Sequence, residues 1–343
     1  MKNNILKFFI FYVVSLFAPC AMAQYNITFE AEVTEENPDE ALYQRINNSV
    51  SDLLTAFGVA HEKKVKINFD GLSVSNEAKN NILRLWDDCP FVCMDDIYVE
   101  EVRPVHKREF QIRNINLVMK PQPGRHTKGD WKKYQQAVIT LDSMGVVTNF
   151  HLAVDASLYS RMMNVARTVE DVEQRMMILE YVERFRNAYN MKDMPFLQQV
   201  YSDDALIITG RVVKRQPSKD AKKIEVNSQN KNKEVAFIEY RQQTKKEYLT
   251  NLQKVFDKNE HINIGFTEIE VKKHPAKQNF YGVTLRQRYV SDTYSDDGWL
   301  FLLWDFTDPN KPQVHVRTWQ PHKTPNGILP KKDVFSVEDF EVE

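Results

Sequence analysis

The sequence predicts two consecutive α+β domains, the first with helices on an antiparallel sheet and the second with a long helix wrapped by a curved antiparallel sheet. Three observations carry this. Apolar residues recur at steps of three and four in Leu42, Ile46, Val50, Leu53, Leu54 and Phe57, and again in Val172, Met176, Leu179, Val182, Phe185 and Tyr189. Each helical region is followed by short alternating stretches bounded by turn residues. The length, 343 residues, exceeds what one ordinary core fills.

The chain opens with Lys2 and Lys7, an apolar run from Phe8 to Ala18, and Ala21-Met22-Ala23 before Gln24. A positive start, a run of about a dozen apolar residues and a small-x-small site describe an export signal, residues 1–23. The run is short of the ~17–25 residues a membrane anchor needs. Lipidation at Cys20 is an alternative that Pro19 disfavours. Removing residues 1–23 takes two lysines and no acid, moving the formal charge from −1 to −3. That balance lacks the basic face a nucleic-acid binder needs. The expected address is periplasmic or extracellular, with no later membrane span. In an oxidising compartment Cys89 and Cys93, in Cys-Pro-Phe-Val-Cys, are expected to form a local disulfide, with free buried thiols as the alternative.

The N-terminal domain is expected over 24–160. A leader strand with Ile27 and Phe29 precedes a helix from Asp39 to Gly58, a short strand through Val65, Ile67 and Phe69, and a helix capped by Ser75. Strands follow at Ile97–Val102, Phe110–Met119, Gln135–Leu141 and Val146–Val154. Residues 155–168 form the joint. The second domain is expected over 168–320. Its long helix opens at Thr168 with Asp171 as capping-box partner, and its charged positions, Glu183 and Arg186 among them, take the faces away from the apolar stripe. A short helix spans Pro195–Val200 and a strand Ala205–Thr209. Residues 211–234 hold eight Lys or Arg against three acids, with few large apolar groups, and read as a basic insertion. Thr244 and Glu247 cap another helix, followed by strands at Ile262–Val271, Tyr281–Val290, Trp299–Phe306 and Val314–Trp319. Asp296-Asp297-Gly298 marks a turn. Residues 321–343 form a tail.

The stretch Leu179-Glu-Tyr-Val-Glu-Arg-Phe-Arg-Asn-Ala-Tyr189, then a polar turn, a small helix and Asp203-Asp204-Ala205 entering a strand, resembles the opening of the NTF2-like (SnoaL-like) fold. His274-Pro-Ala-Lys and Asp296-Asp-Gly-Trp also look like a group of exported Bacteroidetes-type proteins. The resemblance implies a cone whose mouth holds a ligand, a catalytic site or only side chains, and homodimerisation through the outer sheet face.

Strand alternation places His315, Arg317 and Trp319 on one face, a row suited to a ligand carboxylate, phosphate or glycan, with Arg317 as the fork donor and Tyr189 nearby. A solvent-facing or dimer-facing strand is the alternative. For catalysis, His315 as acid/base with Asp305 or Asp204 as orienting carboxylate is the arrangement to test. No histidine pair has metal-ligand spacing and no phosphate-cradling glycine loop occurs, so neither metal nor cofactor is expected. The sequence therefore points to an exported, non-catalytic binding or adaptor protein. The alternatives are a small-molecule lyase, isomerase or hydrolase, and a structural subunit of an envelope assembly.

Overall fold

The computed structural model describes residues 25–33, 39–105, 108–121, 133–165, 169–215, 235–324 and 327–340. The export signal, Cys20, the Thr168 cap and most of the basic insertion lie outside these residues.

In the N-terminal domain, strand β1 (Thr28–Glu32) pairs in parallel with β3 (Ile97–Val105). The sheet continues antiparallel through β4 (Glu109–Met119), β5 (Tyr134–Leu141) and β6 (Val147–Leu152), with β2 (Phe91–Cys93) also on β4. Helix α1 (Glu40–Lys63) and helix α2 (Asn76–Asp88) cover one face. The six apolar positions of the α1 stripe are all buried, and Phe57 meets Phe91 and Phe150 edge-on at 5.0 and 5.5 Å. Ser75 caps α2 as the sequence indicates, accepting from Ala78 N–H, and Asp39 caps α1, accepting from Leu42 N–H.

Three expectations are corrected here. Helix α1 does not stop at Gly58 but runs to Lys63, ended by Lys64 in the left-handed region (φ 54°). Gly58 is instead where the Tyr25 ring lies against the helix, leaving no room for a Cβ. Residues 65–69 form no strand, although Ile67 is buried. Cys89 and Cys93 are free buried thiols, not a disulfide. Cys89 sits at the C-cap of α2 and Cys93 in β2, and burial pushes both thiols up to about 12, so neither is a ready nucleophile.

The expected joint contains a further helix, α3 (Ala156–Met163). Then come α4 (Val169–Asn190) and α5 (Met194–Val200). The second sheet has the order β8 (Val235–Gln243), β7 (Tyr201–Arg215), β12 (Gln313–Pro321), β11 (Ser295–Asp305), β10 (Phe280–Ser291), β9 (Ile262–Lys273), antiparallel except for β7 on β12. Helix α6 (Lys245–Lys258) carries the Thr244–Glu247 capping box. Strand β7 runs five residues into the expected insertion, and β8, absent from the sequence reading, pairs with it from Gln243 back to Val235. Low apolar content had argued for a loop there; the backbone ladder overrides it.

The sheet wraps α4, whose Leu179, Val182, Phe185 and Tyr189 are buried against Trp304, Leu302 and Val283. Val172 of the same stripe is 42% exposed. Glu183 and Asn187, on the polar side of α4, are buried too, because that stretch docks on the first domain. Glu183, fully buried, accepts from Arg113 Nη1 and Nη2 (3.1 and 2.7 Å), from Val154 N–H (2.7 Å), and lies 3.2 Å from His151 Nε2. Arg186 donates to the Leu152 and Ala153 carbonyls, and Asn187 to Leu152. Burial alone would raise the Glu183 carboxyl, but Arg113 and His151 hold it at about 2.

The tail is not free. Val337 is buried on the outer sheet face among Phe280, Phe301, Leu303 and Val316, and Phe340 stacks on Phe301 at 5.2 Å. The face implied for homodimerisation is thus partly covered by the chain itself.

Candidate functional site

The floor of the cone is aromatic and closed. Phe185 packs against Tyr189, Tyr201 and Trp304, and Trp304 stacks on Phe306. Above it the lining turns polar. The Tyr189 hydroxyl lies 2.8 Å from that of Tyr201 and 2.5 Å from that of Tyr248, so three chain-distant elements, α4, β7 and α6, meet in one hydroxyl cluster. Burial keeps the Tyr189 and Tyr201 phenols well above their ordinary range, so they stay protonated and share hydrogen bonds rather than ionise.

Arg317 enters this cluster from β12. Its guanidinium stands 5.1 Å over the Tyr248 ring, and the residue is 7% exposed. Its Nε and Nη1 have no hydrogen-bond partner among the described residues. Trp319, two residues on, is also buried, with Nε1 likewise unpartnered. Room for its ring comes from Gly298, where a Cβ would lie 2.7 Å from the indole. Opposite, Asp296 presents a buried Oδ1 with no partner among the described residues. Burial pushes its carboxyl up to about 7, with the Arg317 charge acting against that rise. Gln287, buried on the neighbouring strand, has its Oε1 in the same condition.

Arg317 and Trp319 therefore share one face, as the alternation indicates, and Tyr189 of α4 meets them in the cone interior. His315 is not among them. The β11–β12 register slips between Leu303 and Trp304, with Leu303 opposite Val316 and Trp304 opposite Val314. An extra residue at such a bulge reverses the facing of what precedes it. Val314 packs in the cone core, Val316 in the outer cluster, and the His315 ring lies 5.5 Å from Phe280 on that outer side. The expected single row of His315, Arg317 and Trp319 is therefore corrected to a pair inside and a histidine outside.

The carboxylates proposed for His315 do come to it. Nε2 is 3.5 Å from Asp305 Oδ2 and Nδ1 is 3.7 Å from Asp204 Oδ1. The cluster is open to solvent, with the Asp204 side chain 79% exposed, and Asp204 also takes a short hydrogen bond from Ser202. The sheet separates the cluster from Arg317. Among the described residues no group of three or more His, Cys, Asp or Glu could hold a metal ion, and no helix is long and apolar enough to cross a membrane.

Sequence reasoning missed Asp296, Gln287 and the partnership of Tyr248. Asp296-Asp297-Gly298 reads as a turn, but the turn lies at Ser291–Tyr294 and the triplet is inside β11, sending Asp296 inward and Asp297 outward. Asp297 there makes a two-point contact with Arg286, both at 2.6 Å. Tyr248 was legible as a core residue of α6, its hydroxyl contact not.

Residues 231–314 match the family described as the Cds6 C-terminal NTF2-like domain. No curated protein matches the sequence. Among solved structures, Bd1075 of Bdellovibrio bacteriovorus is similar at 12% identity and a TM-score of 0.32, over 63% of this chain and 90% of that one. An NTF2-like protein from Cytophaga hutchinsonii is similar at 14% identity and 0.27, over 43% and 98%. The helical cell shape determining protein Pgp2 from Campylobacter jejuni is similar at 13% and 0.31, over 43% and 41%. The family match, set on a sheet wrapped around a long helix, shows that the C-terminal half of this chain carries an NTF2-like domain.

Proposed function

We propose that this is an exported, non-catalytic binding protein whose NTF2-like cone takes a small carboxylate ligand. The observation that carries the reading is Arg317, a buried guanidinium with two N–H positions unpartnered among the described residues. Buried donors are almost always satisfied, and those that are not mark strain or a group that binds there. A carboxylate matches the guanidinium in charge and can accept at these N–H positions, which point to different sides of the group. Trp319 Nε1 adds a donor and Asp296 Oδ1 an acceptor, so the site would favour a carboxylate that also carries a hydroxyl or amine.

Catalysis receives less support. The one histidine–carboxylate cluster weighed for acid/base work, at His315, lies on the other sheet face from the cone lining. Export rests on residues 1–23 and predicts a mature chain beginning at Gln24, which intact-mass measurement of the protein from its native envelope would read.

The binding test is thermal-shift and calorimetric titration with small carboxylates, including hydroxy and amino acids, on the wild type and Arg317→Met. A ligand at one hundred times its Kd stabilises the folded state by about 2.7 kcal/mol. The melting midpoint of the variant without ligand is the control for its folding. The variant should lose the ligand response. Titrations that leave the wild type unmoved, or that move both proteins equally, would overturn the proposal.

A further inference from the structure

A second polar site lies where the two domains meet. A cleft of about 190 Å³ opens between the β5–β6 edge of the first domain and helices α4 and α5 of the second. That volume lies below the roughly 300–1,000 Å³ of pockets for drug-sized ligands, so the cleft takes one small unit rather than an oligomer. Sites of this kind favour domain interfaces.

Its floor is a polar rung across three strands. Gln111, Thr140 and Asn149 are register neighbours on β4, β5 and β6, so they share a face, and they are 1%, 1% and 5% exposed. Asn149 is satisfied by Asn81. Thr140, which lines the cleft, has no hydrogen-bond partner for Oγ1 among the described residues, and Gln111 Nε2 beside it has none either. Burying a hydroxyl without a partner costs about 1–3 kcal/mol. A hydroxyl kept at that cost on the wall of a cleft points to a ligand that completes it.

The charges select the ligand's class. Three carboxylates, Glu77, Glu109 and Glu180, and two cations, Arg184 and Lys311, line the cleft, so a free anion meets net repulsion. A cation finds the carboxylates engaged: Glu77 and Glu180 face Arg184 at 3.0 and 3.8 Å, and Glu109 accepts from Thr148 at 3.3 Å. An apolar ligand would leave Thr140 unsatisfied. What remains is a neutral molecule rich in hydroxyls, each able to donate to a carboxylate and accept from an amide or threonine. The rings of Tyr181 and Phe196, each faced by the Arg184 guanidinium at 5.4 and 5.1 Å, complete the lining. We infer that the interdomain cleft around Thr140 is a binding site for one neutral sugar unit, separate from the Arg317 site in the cone.

Saturation-transfer NMR on the full chain tests this, with glucose, galactose, mannose and N-acetylglucosamine as neutral probes and lysine as a cationic one. At least one sugar should receive saturation and lysine none. Thr140→Val keeps the branched shape and removes the hydroxyl, so it should fold with an unchanged or higher melting midpoint and bind that sugar about five- to tenfold more weakly. Arg317→Met should bind it like the wild type, which separates this site from the cone. The proposal is overturned by no transfer to any sugar, by sugar binding that survives Thr140→Val or is lost in Arg317→Met, or by lysine binding in place of the sugars.

Discussion

Substituting Glu183 by Gln removes one negative charge at nearly constant volume from the buried joint between the domains. The wild-type carboxylate, fully buried, faces an Arg113 side chain that is 10% exposed, and also accepts the Val154 N–H. Taking away one partner of a buried, hydrogen-bonded ion pair leaves the other charge uncompensated and costs about 3–5 kcal/mol. At roughly 2–4 °C per kcal/mol for a chain of this order of size, the melting midpoint should fall by about 6–20 °C. The double variant Arg113→Met, Glu183→Leu should recover part of the loss, but not all, because Val154 N–H still lacks its acceptor. Acid titration gives a second reading. The folded carboxyl, at about 2, lies below its ordinary 4.5, so its contribution is present above pH 4.5 and is lost as pH falls toward 2. Denaturant midpoints between pH 6 and 3 should fall in the wild type and stay flatter in Glu183→Gln. A midpoint shift under about 4 °C, with parallel acid limbs, would refute the view that this network holds the domains together.

Two further outcomes follow from the cone. The Asp296 carboxyl is raised from 3.8 to about 7, so its stabilising balance is present below pH 3.8 and lost as pH rises through 7. Asp296→Asn should therefore gain stability relative to the wild type between pH 5 and 8 in denaturant melts, and equal slopes would count against the burial argument. Deleting residues 329–343 uncovers Phe280, Phe301, Leu303 and Val316 and forfeits the buried Val334 and Val337, at about 1.5–3 kcal/mol each. Light scattering should then show self-association with a lower melting midpoint, and a monomer of unchanged stability would show that the tail covers nothing that matters.

The order of elements was largely legible because it rests on local rules. The α1 stripe, the Ser75 and Thr244 caps and the strands after each helix group all follow from periodicity and end chemistry that act within a few residues. Arg317 and Trp319 could be placed together because strand alternation carries side-chain direction reliably over a regular run. His315 could not, since a single bulge set by pairing with β11 reverses that direction and nothing in its neighbours announces it. Asp296 was lost to the opposite error, a turn-like triplet drawn into a strand by its partners. Glu183 and Arg186 show the deepest limit. Their spacing on α4 fixed which side of the helix they occupy, but whether that side meets water or another domain depends on Arg113, His151 and the Leu152 and Ala153 carbonyls, about 30 to 70 positions away in sequence. The sequence by itself determined the elements and their amphipathic faces; only the tertiary structure decided what each face meets, because burial and charge pairing are properties of the assembled chain.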